Sequence, residues 1–257
     1  CCIMIGILDS GLGGLSALMV LRTLAPKADL LYLSDQAHLP YGEKSPKDLC
    51  HYLEDALAFF EAQKVEAVLV ACGTLSGVAL PHLKADYPFP IFGVITPAAK
   101  HAKHITKTGH VAVIATSACV LEKAYTKALR KVGIRRVYER DCPLFVPLVE
   151  QGITGEHPLA REASLYYLSS CFPTSCDTLL LGCTHYPFLA SAIQKVLPHI
   201  TLLDAGRVAV VEMLKEYPKK EELGRCDFYT TACPATFQKT ASRLLGELHG
   251  RVAHIHL

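Results

Sequence analysis

Residues 179–187 read LLLGCTHYP, and residues 68–74 read VLVACGT. Each is an apolar run that stops at a small residue and delivers a cysteine, with a threonine one or two positions later. An apolar run without alternation suits a strand of a parallel sheet covered on both faces. The same construction, met twice in a chain of 257 residues, predicts two similar halves, each a parallel α/β unit.

Working outward, further runs have the same character. IMIGIL (3–8), LLYL (30–33), AVLVA (67–71) and IFGV (91–94) read as buried strands, as do HVAVIA (110–115), RRVYER (135–140), TLLLG (178–182), ITLLD (200–204) and CDFYTT (226–231). Helical patterns lie at 14–24, 46–62, 75–87, 120–132, 144–151, 158–171, 187–196, 207–216 and 234–246, with Pro46 suited to a first helical turn. VITPAA (94–99) reads as the crossover between the halves, and PKKEELGR (218–225) as a solvated loop. The expectation is an α/β fold of two pseudosymmetric domains, with mostly parallel sheets flanked by helices. Residues 1–97 with 208–257 form the domain that bears Cys72. Residues 98–207 form the one that bears Cys183.

Composition narrows the function. With 26 Lys+Arg against 24 Asp+Glu the net charge is +2, so nothing argues for nucleic acid or an anionic membrane as partner. No apolar run reaches the ~18 residues that span a bilayer. The start of the chain reaches Asp9 too soon for a signal peptide and lacks a basic region. Whether Cys1-Cys2-Ile3 is native, or a remnant ahead of a native Met4, is left open. Eleven cysteines are odd in number and several fall inside apolar patterns, so a reduced cytoplasmic protein is the reading rather than a disulfide framework. No CxxC pair occurs, and no metal is expected.

In open parallel sheets, ligands gather beyond the carboxyl ends of the strands. Asp9-Ser10, Asp35, Cys72 to Thr74 and Cys183 to His185 all fall there. A cysteine at one strand end is most often mere packing. Two such thiols, each before a helix start that would favour the thiolate, could flank one small substrate. A thiol near about 8.5 can act as acid or base, so one could take a proton from a carbon while the other returns one to the opposite face. A cysteine–histidine hydrolase, built on Cys183 and His185, is the competing chemistry, and it leaves Cys72 without a role. DSGLGG (9–14) is no dinucleotide fingerprint, since Ser16 stands at the third glycine position. No GxxxxGK[ST] occurs. Its glycines suit a turn that takes a carboxylate. LPYGEKSP (39–46) is a candidate substrate loop.

In this order the segments LDSGLGGLS (8–16), DQAHLPYGEKS (35–45), VACGT (70–74), GVITP (93–97), CPLFVPLVEQG (142–152) and LGCTHYP (181–187) resemble the cofactor-independent glutamate racemases of the aspartate/glutamate racemase superfamily. The resemblance implies an active site in the interdomain cleft, no cofactor, a small amino-acid substrate, a homodimer and a role in peptidoglycan synthesis. It implies that Cys72 and Cys183 are the acid/base thiols, assisted by Asp9 and His185. Ser10, Pro40, Tyr41, Gly42, Gly73, Thr74, Cys119 and Thr184 fall at its substrate-binding positions, and Glu150 matches a further acid near the site. Departures stand at Gly73, where the family has Asn, at Cys119, where it has Thr, and at His38, where it has Arg. TTACP (230–234) lacks the usual Gly-Asp. These leave open the same reaction on another amino acid such as aspartate, or a racemase-like fold turned to binding or regulation.

Overall fold

The computed structural model describes residues 4–216 and 224–257. Cys1 to Ile3 and most of the 218–225 loop lie outside those residues. The strands are β1 (Met4–Asp9), β2 (Asp29–Ser34), β3 (Ala67–Val70), β4 (Ile91–Gly93), β5 (His110–Ala115), β6 (Arg136–Asp141), β7 (Thr178–Leu181), β8 (Thr201–Asp204), β9 (Cys226–Thr230) and β10 (Val252–His254). They form two wholly parallel sheets, ordered β10-β9-β2-β1-β3-β4 and β6-β5-β7-β8.

Helices cover the sheets: α1 (Leu15–Leu24), α2 (Pro46–Ala62), α3 (Ile95–Ile105), α4 (Ser117–Leu121), α5 (Ala124–Lys131), α6 (Phe145–Glu150), α7 (Pro158–Leu168), α8 (Ala190–Val196), α9 (Ala205–Met213) and α10 (Pro234–Leu245). Helix α2 shows its start in the sequence. Ser45 caps it by accepting from Asp48 N at 3.2 Å, and Pro46 fills the position where no N–H is missed. An apolar core runs without a break from Ile5, Ile7 and Leu69 under the first sheet to Val111, Val113 and Leu180 under the second.

The pseudo-repeat is visible in strand order. β2-β1-β3-β4 and β6-β5-β7-β8 follow one scheme, so β3 and β7 hold matching places. Corresponding backbone bonds close them: Ala71 N donates to Leu8 O at 2.9 Å, and Gly182 N to Ile114 O at 2.8 Å. Each cysteine is the next residue. In both sheets the chain reverses its direction of growth between the first and third strands, which is where crevices open in such folds.

Four local readings differ from expectation. Residues 75–87 are no helix but one wide turn, Leu75–Ala79, then a short turn, Leu80–His82. Pro81 supplies no N–H to continue it, and Ser76 Oγ instead ties the turn to the sheet, donating to Val70 O at 2.7 Å and accepting from Val94 N at 3.2 Å. The 120–132 helix is split into α4 and α5 by Lys123, which takes a left-handed φ of 53°. The VITPAA crossover is itself the start of α3. The edge strand β10, only three residues long, left no periodic signal.

Candidate active site

Cys72 and Cys183 line one cavity of about 70 Å³, together with Ser10, Pro40, Tyr41, Gly42, Thr74, Thr184 and His185. Thr116, Ser117, Leu39, Glu43, Pro143, Val146, Pro147 and Tyr186 complete the wall. One thiol comes from the end of β3 and the other from the end of β7. The lining holds five hydroxyl side chains from Ser and Thr, and no lysine or arginine. An anion here is therefore met by O–H and backbone N–H dipoles and by the His185 ring rather than by a lysine or arginine. A larger groove of about 470 Å³ adjoins through Gly42, Glu43 and Ser117, and neither thiol faces it.

Thr116 and Ser117 were not singled out from the sequence, yet a signal for them existed. They follow β5 as Ser10 and its neighbour follow β1, so the repeat that pairs Cys72 with Cys183 also pairs Ser10 with Thr116. Thr74 and Thr116 join the halves through their hydroxyls, 2.9 Å apart.

Behind the cavity lies a buried acid–imidazole chain. His185, 1% exposed, has Nδ1 3.5 Å from Cys183 Sγ, and its Nε2 donates to Glu150 Oε1 at 2.6 Å. Glu150 also accepts from Leu12 N at 2.7 Å and, at its other oxygen, from Gln36 Nε2 at 2.9 Å. Burial opposes a charge on His185, but the bonds to Cys183 and Glu150 prevail and raise its pKa well above the ordinary value. Burial likewise acts to raise Glu150, yet His185, the Leu12 N–H and Gln36 bring it below the ordinary carboxylate range. The pair is an imidazolium and a carboxylate.

The DSGLGG turn does bind a carboxylate, and it is the protein's own. A Cβ on Gly11 would overlap Glu150 Oε1, and one on Gly13 would overlap His185 Nδ1 and Thr184 Oγ1. The glycines are there so that the second half's acid and imidazole can reach the first half's main chain. Asp9, fully buried, accepts from Gly11 N at 3.0 Å and from Thr184 Oγ1 at 2.9 Å. Burial raises its pKa against the opposing charge of His185.

The expected stabilisation of the Cys72 thiolate by a helix start is overturned. Burial raises the Cys72 pKa and the nearby Asp9 charge adds to it; the Leu75 N–H and Ser10, with Cys72 Sγ 3.7 Å from Ser10 Oγ, pull the other way without winning. Cys72 is a neutral thiol. The turn after it, at 75–79, is too short and too irregular to bring a helix dipole to bear.

Gly73 and Cys119, expected at substrate-binding positions, sit off the cavity wall. Cys119 is fully buried, its Sγ is 3.3 Å from Gly73 O, and burial pushes its thiol up to about 12. Gly73 faces the Gly182 carbonyl. The Tyr41 loop is held from below: Asp35 accepts from Tyr41 OH at 2.5 Å and from Thr231 Oγ1 at 2.8 Å, and pairs with His38 Nδ1 at 2.7 Å. The His38 ring stacks on Tyr52 with centroids 4.2 Å apart. Thus Thr231, within the divergent TTACP stretch, still supports this loop. Among the described residues, no group of three or more His, Cys, Asp or Glu side chains is arranged to hold a metal ion. No helix there is long and apolar enough to cross a membrane.

Two thiols, one from each sheet and both on the wall of one hydroxyl-lined cavity, define a protein suited to acid–base work on a small anionic molecule. Comparison with known proteins gives the family. The model of the Asp/Glu/Hydantoin racemase family matches residues 17–213, and the chain belongs to that family. It is 41% identical to the glutamate racemase of Aquifex aeolicus over 95% of this chain and 94% of that one. The crystal structure of glutamate racemase from Thermus thermophilus in complex with beta-chloro-D-alanine superposes with a TM-score of 0.89 at 37% identity, covering 99% of this chain and 97% of that one. Glutamate racemase from Francisella tularensis in complex with D-glutamate gives 0.87 at 29% identity, covering 99% and 97%.

Proposed function

We propose that this chain is a racemase that interconverts L- and D-glutamate with two thiols. The observation that carries the reading is Cys72 and Cys183, at matching points of the two sheets, on one cavity wall. The glutamate racemases among its relatives supply the substrate.

In this mechanism the α-carbon lies between the sulfurs. One thiolate takes the Cα proton and becomes a thiol. The C–H electron pair stays on the carbon and delocalises into the substrate carboxylate. The opposite thiol gives its proton to the other face and becomes the thiolate. Each turnover exchanges the roles of the two sulfurs, so the reaction runs in both directions. Cys72, held neutral by burial and Asp9, begins as the donor. Cys183, beside the His185 imidazolium, begins as the base. Glu150 holds that imidazole in place, and Asp9 orients Thr184. Ser10, Thr74, Thr184, Thr116 and Ser117, with the main chain around Pro40, Tyr41 and Gly42, receive the substrate's polar groups. Gly73 and Cys119 act from behind the wall.

A cavity of about 70 Å³ is tight, since about 150 Å³ is what holds a benzene molecule. Glutamate therefore enters by parting the halves, which we take as 1–97 with 208–257 against 98–207. The family resemblance extends the reading to D-glutamate supply for peptidoglycan, in the cytoplasm, as a homodimer. Exposed Leu121, Leu144 and Tyr166 offer apolar surface for a second copy, and sedimentation tests it.

The central test is glutamate in D₂O, followed by chiral chromatography and mass spectrometry. Wild type should racemise it with deuterium entering at Cα. Cys72→Ser and Cys183→Ser should each lose racemisation by at least ~10²–10⁴-fold. Full racemisation by either variant would sink the two-thiol reading.

A further inference from the structure

The loop that closes one side of the cavity is anchored through a single buried carboxylate. Asp35, 1% exposed, stands just past the end of β2. Tyr41 OH and Thr231 Oγ1 donate to its two oxygens, at 2.5 and 2.8 Å. His38 Nδ1 reaches both oxygens, at 2.7 and 3.0 Å. A carboxylate only accepts, so Nδ1 carries the hydrogen. Burial, and then the Asp35 charge, raise the Tyr41 pKa, so that hydroxyl stays a donor. Among the described residues, His38 is the one basic side chain within ion-pair distance of Asp35. A buried carboxylate is costly unless it is paired and hydrogen-bonded. Without His38, two hydroxyls alone would hold it.

His38 does not line the cavity. Its ring lies on Tyr52 of α2, with centroids 4.2 Å apart and planes 16° apart. The Tyr41 ring stacks on the same Tyr52, at 5.5 Å. Both rings that grip Asp35 therefore rest on one side chain of one helix. From this anchor the chain runs on as Pro40, Tyr41 and Gly42, which do line the cavity. A Cβ on Gly42 would stand 3.1 Å from Thr116 Cβ, so the tip of the loop meets the second half. Neither thiol is carried by this loop.

We propose that His38 is a positioning residue for the substrate. Paired with Asp35 and stacked on Tyr52, it holds the carboxylate that fixes Tyr41, and so sets the main chain of residues 40–42 where that chain receives the substrate's polar groups. The inference rests on the racemase reading, in which this main chain is part of the substrate-binding wall. The arginine that the family has at this position can make the same two contacts, because a guanidinium stacks on an aromatic face and pairs with a carboxylate. A phenylalanine can make only the first. The thiols stand on other segments, so a displaced loop weakens binding of substrate and transition state alike. Such a loss raises KM and leaves kcat nearly as it was.

The experiment measures glutamate racemisation by wild type, His38→Phe and His38→Arg over a range of glutamate concentrations. His38→Phe keeps a ring on Tyr52 and removes the hydrogen bond to a charged group, so KM should rise about tenfold while kcat changes by less than about threefold. His38→Arg should bring KM back to within about threefold of wild type. General damage to the fold has a different signature: it lowers kcat per mole of protein and leaves KM unchanged. Should His38→Phe yield no soluble enzyme, Tyr41→Phe removes one oxygen from the other side of Asp35 and should raise KM as well. An unchanged KM in His38→Phe or in Tyr41→Phe overturns the proposal. So does a KM raised as far by His38→Arg as by His38→Phe, or a fall in kcat with KM unchanged. A wild type that does not racemise glutamate defeats the racemase reading instead, and that arm is read first.

Discussion

Replacing Glu150 by glutamine keeps the shape of the side chain and removes its charge. In the wild type that carboxylate accepts from His185 Nε2 at 2.6 Å, from Leu12 N at 2.7 Å and from Gln36 Nε2 at 2.9 Å. The His185 and Glu150 side chains are 2% and 15% exposed, so solvent screens the pair little. Removing one partner of a buried pair costs about 3–5 kcal/mol, and glutamine can recover part of it by hydrogen bonding. A loss of roughly 3 kcal/mol lowers Tm by about 6–12 °C in a chain of this size. The pH dependence distinguishes this from general damage. His185 is raised from 6.5, so its contribution is fully present below that value and is lost as pH rises through the raised pKa. Glu150 is lowered from 4.5, so its contribution is present above that value and is lost as pH falls through the lowered pKa. The Tm gap between wild type and Glu150→Gln should therefore be widest between these limits and shrink outside both. Thermal melts by circular dichroism across pH read it directly. A gap that stays constant with pH, or one below about 1 kcal/mol, would refute the buried ion pair. Activity should fall as well, with the alkaline limb of the pH–rate profile moving to lower pH as His185 loses its partner.

Two further outcomes are expected. Ser45→Ala removes the α2 cap and should cost about 1 kcal/mol in a thermal melt without altering kcat, whereas a change in kcat would mean that the cap also positions the Tyr41 loop. Among the described cysteines Cys233 is exposed, and the Thr236 N–H, the Thr236 hydroxyl and the Ala235 N–H lower its thiol pKa. Limiting iodoacetamide should label it first by peptide mapping, and earlier labelling of Cys72 would contradict the burial that keeps Cys72 neutral.

Much of the site was legible because strand ends announce themselves. VLVACGT and LLLGCTHYP placed both thiols correctly at the ends of buried strands. Less legible was anything set by one half acting on the other. Glu150 and Gln36 are 114 residues apart in the chain, yet they share one bond behind the cavity. The same holds for Gly73, which looked like a missing substrate contact and is a point of main-chain approach. Residues 75–87 were misread because their apolar spacing is helical while Pro81, in the middle of the stretch, withholds an N–H that a helix needs.

Taken alone, the sequence determined the alternation of buried strands and amphipathic helices, the duplication of the Cys-bearing turn and the absence of a nucleotide loop. These depend on local periodicity, on residue volume and on which residues can turn tightly, all of which are written along the chain. Tertiary structure alone decided which thiol is held neutral and which carboxylate occupies the glycine turn. Those depend on desolvation, on charges brought together across the cleft and on the space a single Cβ would fill, and none exists until the two sheets face each other.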